Sequence, residues 1–204
     1  PFSSWARINK DAVYQNPGLL QPGHPQGDEP LRVALAGLLA QYRGVRCSPE
    51  QIVVGAGADY LLSLLLQLFP QGSTVALEDP GYPTAWSAVE RHGHHPVSIP
   101  VDSQGMEPQA LEASGATLAY VTPSHQFPLG VTMPVERRSR LLRWASQAHG
   151  RYLLEDDYDS EFRYASRPIP ALQGLDHGGR VIYLGTFSRS IAPAIRVAYL
   201  ILPP

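Results

Sequence analysis

Ser188, Arg189, Ser190 and Arg196 place two hydroxyls and two guanidiniums within one short segment near the end of the chain. Such a composition is suited to holding a phosphate. A second anion signal lies far upstream, in Val53-Val54-Gly55-Ala56-Gly57-Ala58-Asp59. Small residues there mark the passage of a strand into a helix, where free amides and the positive dipole end favour a phosphate. Tight packing calls for the same small residues, so this turn is a weak signal by itself. Asp59 would oppose a phosphate unless its carboxylate points away. The third constellation is Glu155-Asp156-Asp157-Tyr158-Asp159, a dense acidic cluster behind Leu153 and Leu154. Crowding carboxylates costs repulsion, which favours a functional explanation. A buried Asp that stabilises a protonated pyridine nitrogen is one such explanation. Fourth, Tyr82 in Glu78-Asp79-Pro80-Gly81-Tyr82-Pro83 could stack on a flat heteroaromatic ring, or serve only as a packed turn.

The elements that must carry these groups alternate between apolar β-rich runs and helical patterns, which predicts an α/β fold with a mainly parallel sheet. Strands are expected at 51–54, 74–78, 96–101, 117–122, 152–155, 181–185 and 197–202. Helices are expected at 5–14, from Asp28 onward, from the Gly57 turn to Phe69, at 82–91, at 108–112 and from Pro134. In the second helix Leu31, Leu35, Leu38, Leu39 and Tyr42 would share the buried face. Leu61, Leu62, Leu65, Leu68 and Phe69 would form a core stripe. All four chemical motifs then fall at strand ends, and in open α/β sheets ligands bind beyond the carboxyl ends of the strands.

Bulk properties narrow the class. The chain has 204 residues, a formal net charge of −2 and 17% charged residues. That is an ordinary globular composition with no electrostatic case for nucleic-acid binding by this segment. One cysteine, Cys47, excludes an internal disulfide and fits a reducing cytosol; it is read as a bland thiol. The start has no secretory signal pattern, and no apolar run could span a bilayer, so a cytoplasmic protein is expected. His92, His94 and His95 are read as a solvated turn rather than a zinc site. His125 is read either as a ligand contact or as structural. Arg137, Arg138, Arg140 and Arg143 are read as the exposed face of a helix.

Three phrases carry a family resemblance: Tyr120-Val121-Thr122-Pro123-Ser124-His125-Gln126-Phe127-Pro128-Leu129-Gly130, Glu155-Asp156-Asp157-Tyr158-Asp159-Ser160-Glu161-Phe162-Arg163-Tyr164, and Gly185-Thr186-Phe187-Ser188. With the four motifs, they resemble the large domain of fold-type I, pyridoxal-phosphate (PLP)-dependent aminotransferases. The narrower likeness is to the aminotransferase-like effector domain of MocR-type regulators in the GntR superfamily, and it covers essentially residues 1–204. The resemblance implies a three-layer α/β/α domain and a set of roles. Asp156 would pair with the pyridine nitrogen, Tyr158 would bond the phenolic oxygen, and Tyr82 would stack on the ring. Gly57, Ala58 and Asp59 would form the phosphate turn, with Ser188 and Arg196 as side-chain donors.

Arg189 stands where the resemblance places the Schiff-base lysine. A guanidinium stays protonated and is no amine nucleophile, and Lys10 is the single lysine of the chain. Non-covalent binding of PLP or a PLP adduct, or a vestigial site, is therefore expected, within a regulator that senses an amine or PLP-related effector. The rival readings are a PLP-dependent aminotransferase with an altered lysine position, and a dimerisation module. The resemblance further implies a homodimer, with Asn16 to Gly27 as an arm reaching the neighbour. DNA would be contacted only through a winged helix-turn-helix that does not precede Pro1, and a small C-terminal domain would follow Pro204.

Overall fold

The computed structural model describes residues 2–159 and 170–204. The Ser160 to Tyr164 part of the acidic phrase lies outside the described residues. The helices are α1 (Phe2–Gln15), α2 (Glu29–Arg43), α3 (Ala58–Leu66), α4 (Pro83–Arg91), α5 (Pro108–Ala113), α6 (Val135–Ser146) and α7 (Leu172–Leu175). The strands are β1 (Ile52–Gly55), β2 (Thr74–Asp79), β3 (His95–Asp102), β4 (Gly105–Met106), β5 (Leu118–Val121), β6 (Tyr152–Asp157), β7 (Val181–Thr186) and β8 (Ala198–Ile201). The sheet order is β1-β8-β7-β6-β5-β2-β3-β4. From β7 through β3 every neighbouring pair is parallel. β8 runs antiparallel to both β7 and β1, so β1 shares the direction of the parallel strands.

Period-2 alternation distributes each strand between two cores. Leu118, Tyr120, Leu154, Ile182 and Leu184 meet the buried leucines of α3 and the alanines of α4. Ala119, Val121, Leu153 and Val181 meet α5, α6 and α7 on the opposite face. α2 packs Leu35 and Leu39 against Ile52, Tyr183, Tyr199 and Ile201. Helices on both faces of a mainly parallel sheet give the expected three layers.

Several helix faces differ from the sequence expectation. In α2 the buried stripe is Arg32, Leu35, Leu39 and Arg43, while Leu31, Leu38 and Tyr42 are exposed. Either stripe satisfies the helical period, and buried partners for two arginines choose between them. Arg32 donates to Gly27 O and Pro49 O, and Arg43 pairs with Asp157. Leu68 is 71% exposed because α3 ends at Leu66, before the expected stripe does.

Arg137 and Arg138 are buried rather than exposed. Arg138 donates to the carbonyls of Met133, Pro170 and Pro123 at 2.8–2.9 Å. Arg137 reaches Gly105 O, Met106 O and Asp102. Both act as hubs that satisfy loop carbonyls, a role invisible in the helical pattern. His94 is likewise buried, with its Nε2 2.9 Å from Leu66 O, so it is no solvated turn.

Candidate functional site

The acidic cluster is divided by the pleat of β6. Asp156 shares a face with Leu154, whereas Glu155 and Asp157 share the other with Leu153. Glu155 accepts the N–H groups of Leu172 and Gln173 at 2.7 and 2.8 Å, tying down the start of α7. Asp157 accepts from Arg43 Nε at 2.8 Å and from the Tyr183 hydroxyl at 2.6 Å. Burial opposes the charge of Arg43, but Asp157 beside it more than offsets this and raises the guanidinium above its ordinary value. Glu155 and Asp157 are thus structural carboxylates. Local donors hold both in place, although burial and the neighbouring Asp157 still push the Glu155 carboxyl above its ordinary value.

Asp156 is different. It lines a cavity of about 220 Å³ together with Ala58, Asp59, Tyr82, Tyr158, Ser188, Arg189 and Arg196. Of the nine residues flagged from the sequence, eight line this one cavity. The ninth, Gly57, lies directly behind Arg196. The convergence follows from topology: the loops after β1, β2, β6 and β7 all leave the same edge of the sheet. Asp156 Oδ2 accepts from the Tyr120 hydroxyl. Its Oδ1 is buried with no hydrogen-bond partner among the described residues. Burial pushes the Asp156 carboxyl up to about 7, opposed by the Tyr120 bond and reinforced by Asp157, Asp159 and Asp59.

At the other end of the cavity, Gly57 precedes α3 with φ 101°, a backbone state that L side chains rarely adopt. A Cβ there would come within 2.5 Å of Arg196 Nη2. The missing side chain is therefore what lets the Arg196 guanidinium lie across the start of the helix. Arg196 is itself in the left-handed region at φ 54°, an uncommon state for a residue with a Cβ. Its side chain makes one long contact of 3.5 Å to Ala56 O. Ser188 sits nearby, its Oγ accepting from Thr186 Oγ1 at 3.0 Å.

Aromatic groups form the walls. Phe127 stands edge-on to both Tyr82 and Tyr158, with ring centroids 6.2 and 6.5 Å away. The Tyr82 hydroxyl reaches Asp59 Oδ1 at 3.4 Å, which turns that carboxylate toward the ring. The Tyr158 hydroxyl donates to His125 O at 2.8 Å, and His125 Nδ1 lies 2.6 Å from Asp159 Oδ2. His125 does not line the cavity but braces residues 158 and 159 behind it. The Arg189 guanidinium carbon lies 4.9 Å from the Tyr158 ring centroid.

Three lining residues were not singled out in sequence: Thr122, Phe127 and Thr186. Thr122 directly follows β5 and Thr186 ends β7, so the strand-end rule alone marks both. Glu78 was quoted only as part of the Tyr82 motif, yet it organises this wall. It is buried, it accepts from Thr122 Oγ1 at 2.5 Å, and Gln126 Nε2 lies 3.3 Å from it. Desolvation pushes it up to about 7 against those bonds.

The sequence profile of class I and II aminotransferases matches residues 1–204. The chain belongs to the class I and II aminotransferase family. Among the relatives of this aminotransferase-family chain are HTH-type transcriptional regulators. It is 46% identical over its whole length to the uncharacterized regulator YdeL of Bacillus subtilis, covering 44% of that protein. It is 40% identical over its whole length to the MocR regulatory protein of Rhizobium meliloti, covering 42%. Among solved structures, an archaeal alanine:glyoxylate aminotransferase superposes with a TM-score of 0.93 at 32% identity. That match covers 100% of this chain and 53% of the other. The chain thus spans about half the length of its relatives, and the fold-type I aminotransferase large domain is its architecture. Among the described residues no helix is long and apolar enough to cross a membrane, and no cluster of side chains could hold a metal ion.

Proposed function

We propose that this chain is the effector-sensing, aminotransferase-like part of a transcriptional regulator, and that its cavity binds PLP or a PLP adduct without a covalent bond. The carrying observation is the orphaned Asp156 Oδ1, a buried acceptor in a cavity whose far end offers Arg196 across the start of α3. A protonated pyridine nitrogen satisfies that acceptor and holds the carboxylate ionised. A phosphate suits the turn after Gly57, whose own N–H is given to Gly55 O at 2.9 Å, because the first amides of α3 point there and Ser188 and Arg196 line the same cavity. Tyr82 and Phe127 would cover the ring, and Tyr158 would lie along its polar edge.

When bound, PLP supplies an electrophilic carbonyl and an electron-withdrawing ring. This chain's own residues would hold the ring and neutralise its phosphate, but they offer no amine nucleophile at position 189. Lys10 lies in α1, with its Nζ near the Tyr14 ring rather than at the cavity. An aminotransferase is the rival reading, and the guanidinium of Arg189 weighs against it. DNA contact is assigned to a helix-turn-helix segment outside residues 1–204.

We also propose a homodimer. α1 is 14 residues long, yet none of its residues is buried, and Phe2, Ile8 and Tyr14 are exposed. Leu19 and Leu20 continue this apolar surface. A helix of that length gains stability mainly by packing, which the described residues do not supply. The arm would then start at α1 and not only at Asn16.

Titrating PLP into the intact protein, followed by borohydride and peptide mass spectrometry, tests the cavity reading. Saturable binding is expected, weakened at least ten-fold in Asp156→Asn, with no cofactor fixed to peptide 185–196. Reductive attachment there, or no binding, overturns it. Sedimentation of the intact protein as a monomer at micromolar concentration would overturn the dimer.

A further inference from the structure

The cavity carries two guanidiniums, and among the described residues neither forms a salt bridge. They are anchored in different places. Arg196 lies against Gly57, at the turn that follows β1. Arg189 lies over Tyr158, just past the end of β6. β8 and β7 separate β1 from β6 in the sheet, so the strands whose ends carry the two anchors lie roughly 14 Å apart at about 4.8 Å per strand. A phosphate seated against Gly57 therefore leaves Arg189 to a second group.

The surroundings of Arg189 define what that group is. Tyr158 attracts the cation through its ring face, which takes the place of a carboxylate partner. The guanidinium is exposed and permanently charged, and it presents a planar fork of donors that matches a carboxylate. Neither carboxylate that lines the cavity, Asp156 or Asp59, forms a salt bridge with Arg189. An ammonium beside Arg189 would meet like charge, and a neutral aldehyde would gain little from it.

We infer that Arg189 is a specificity-determining residue, which selects ligands bearing a carboxylate in addition to their phosphate. The class of ligand is a phosphopyridoxyl group joined to an amino acid, formed before it enters the cavity. This inference rests on the proposed reading of the cavity as a PLP-type site.

Two stable probes differ by one carboxylate and contain no aldehyde: N-(5′-phosphopyridoxyl)glycine and N-(5′-phosphopyridoxyl)methylamine. Calorimetric titration of each into the intact protein should show the glycine adduct binding roughly ten-fold tighter. Arg189→Met should abolish that preference, and Arg189→Lys should retain part of it because the charge persists. Equal affinities in the unmodified protein, or a preference that survives Arg189→Met, would overturn the role of Arg189 while leaving the site itself intact. Failure of both adducts to bind would instead overturn the reading of the cavity, and the role of Arg189 with it.

Discussion

Asp156 and Asp157 are consecutive in the chain, yet they face opposite sides of the sheet and meet opposite fates. Each has one buried oxygen without a hydrogen-bond partner among the described residues, but Asp157 gives its other oxygen to Arg43 and the Tyr183 hydroxyl away from the cavity, while Asp156 accepts from Tyr120 and lines the cavity. The pleat of β6 makes the difference.

Asp157→Asn should therefore act on stability. It removes the charge that accepts from the buried Arg43 guanidinium at 2.8 Å, for which about 3 kcal/mol is the expected loss. The midpoint of urea unfolding of the intact protein measures it, and a change below about 1 kcal/mol would sink the assignment. The same substitution at 156 should spare that midpoint at pH 5 and act on ligand binding instead.

The pH dependence follows from Asp156, Glu78 and Glu155, all pushed up to about 7 chiefly by burial. Each holds its proton more tightly in the folded protein than in the unfolded chain, where ordinary values of 3.8 and 4.5 apply. The stability they confer is full below about pH 4 and is lost as pH rises through about 7. Asp156→Asn removes one of these groups. Relative to the unmodified ligand-free protein, the variant should gain about 2–3 kcal/mol between pH 5 and pH 8. Thermal unfolding at the two pH values decides it, and parallel pH profiles would refute it.

Gly57→Ala is expected to strain the backbone and push Arg196 aside, since φ is 101° and the new Cβ would meet its guanidinium. A loss of about 1–2 kcal/mol in stability should accompany a roughly ten-fold fall in PLP affinity. Unchanged affinity would show that the α3 turn holds no phosphate.

Arg138→Met should cost about 3 kcal/mol, because it strips the carbonyls of Met133, Pro123 and Pro170 of a shared donor. Arg140→Met, on the same helix without such bonds, is the control and should move the urea midpoint little.

Much of this protein was legible in its sequence because the signals are local. The alternation of β-rich and helical runs is a property of neighbouring residues, and it foretold an α/β fold with a mainly parallel sheet. Once those strands run in parallel, their ends share an edge, so Asp59, Asp156, Ser188 and Arg189 could be brought together before any coordinates. That position 189 carries a guanidinium and not an amine is likewise a matter of one side chain's chemistry.

Tertiary structure decided what one-dimensional periodicity leaves degenerate. Both apolar stripes of α2 fit a helical repeat, and only buried partners for Arg32 and Arg43 turn Leu38 and Tyr42 outward. A run of arginines on α6 reads as solvated, yet loop carbonyls from distant segments draw Arg137 and Arg138 inside. Which carboxylate of the acidic cluster faces the cavity was decided the same way. Desolvation and hydrogen bonding depend on what lies across the sheet, and Tyr120, Arg43 and Leu172 reach their carboxylates only after the chain has folded.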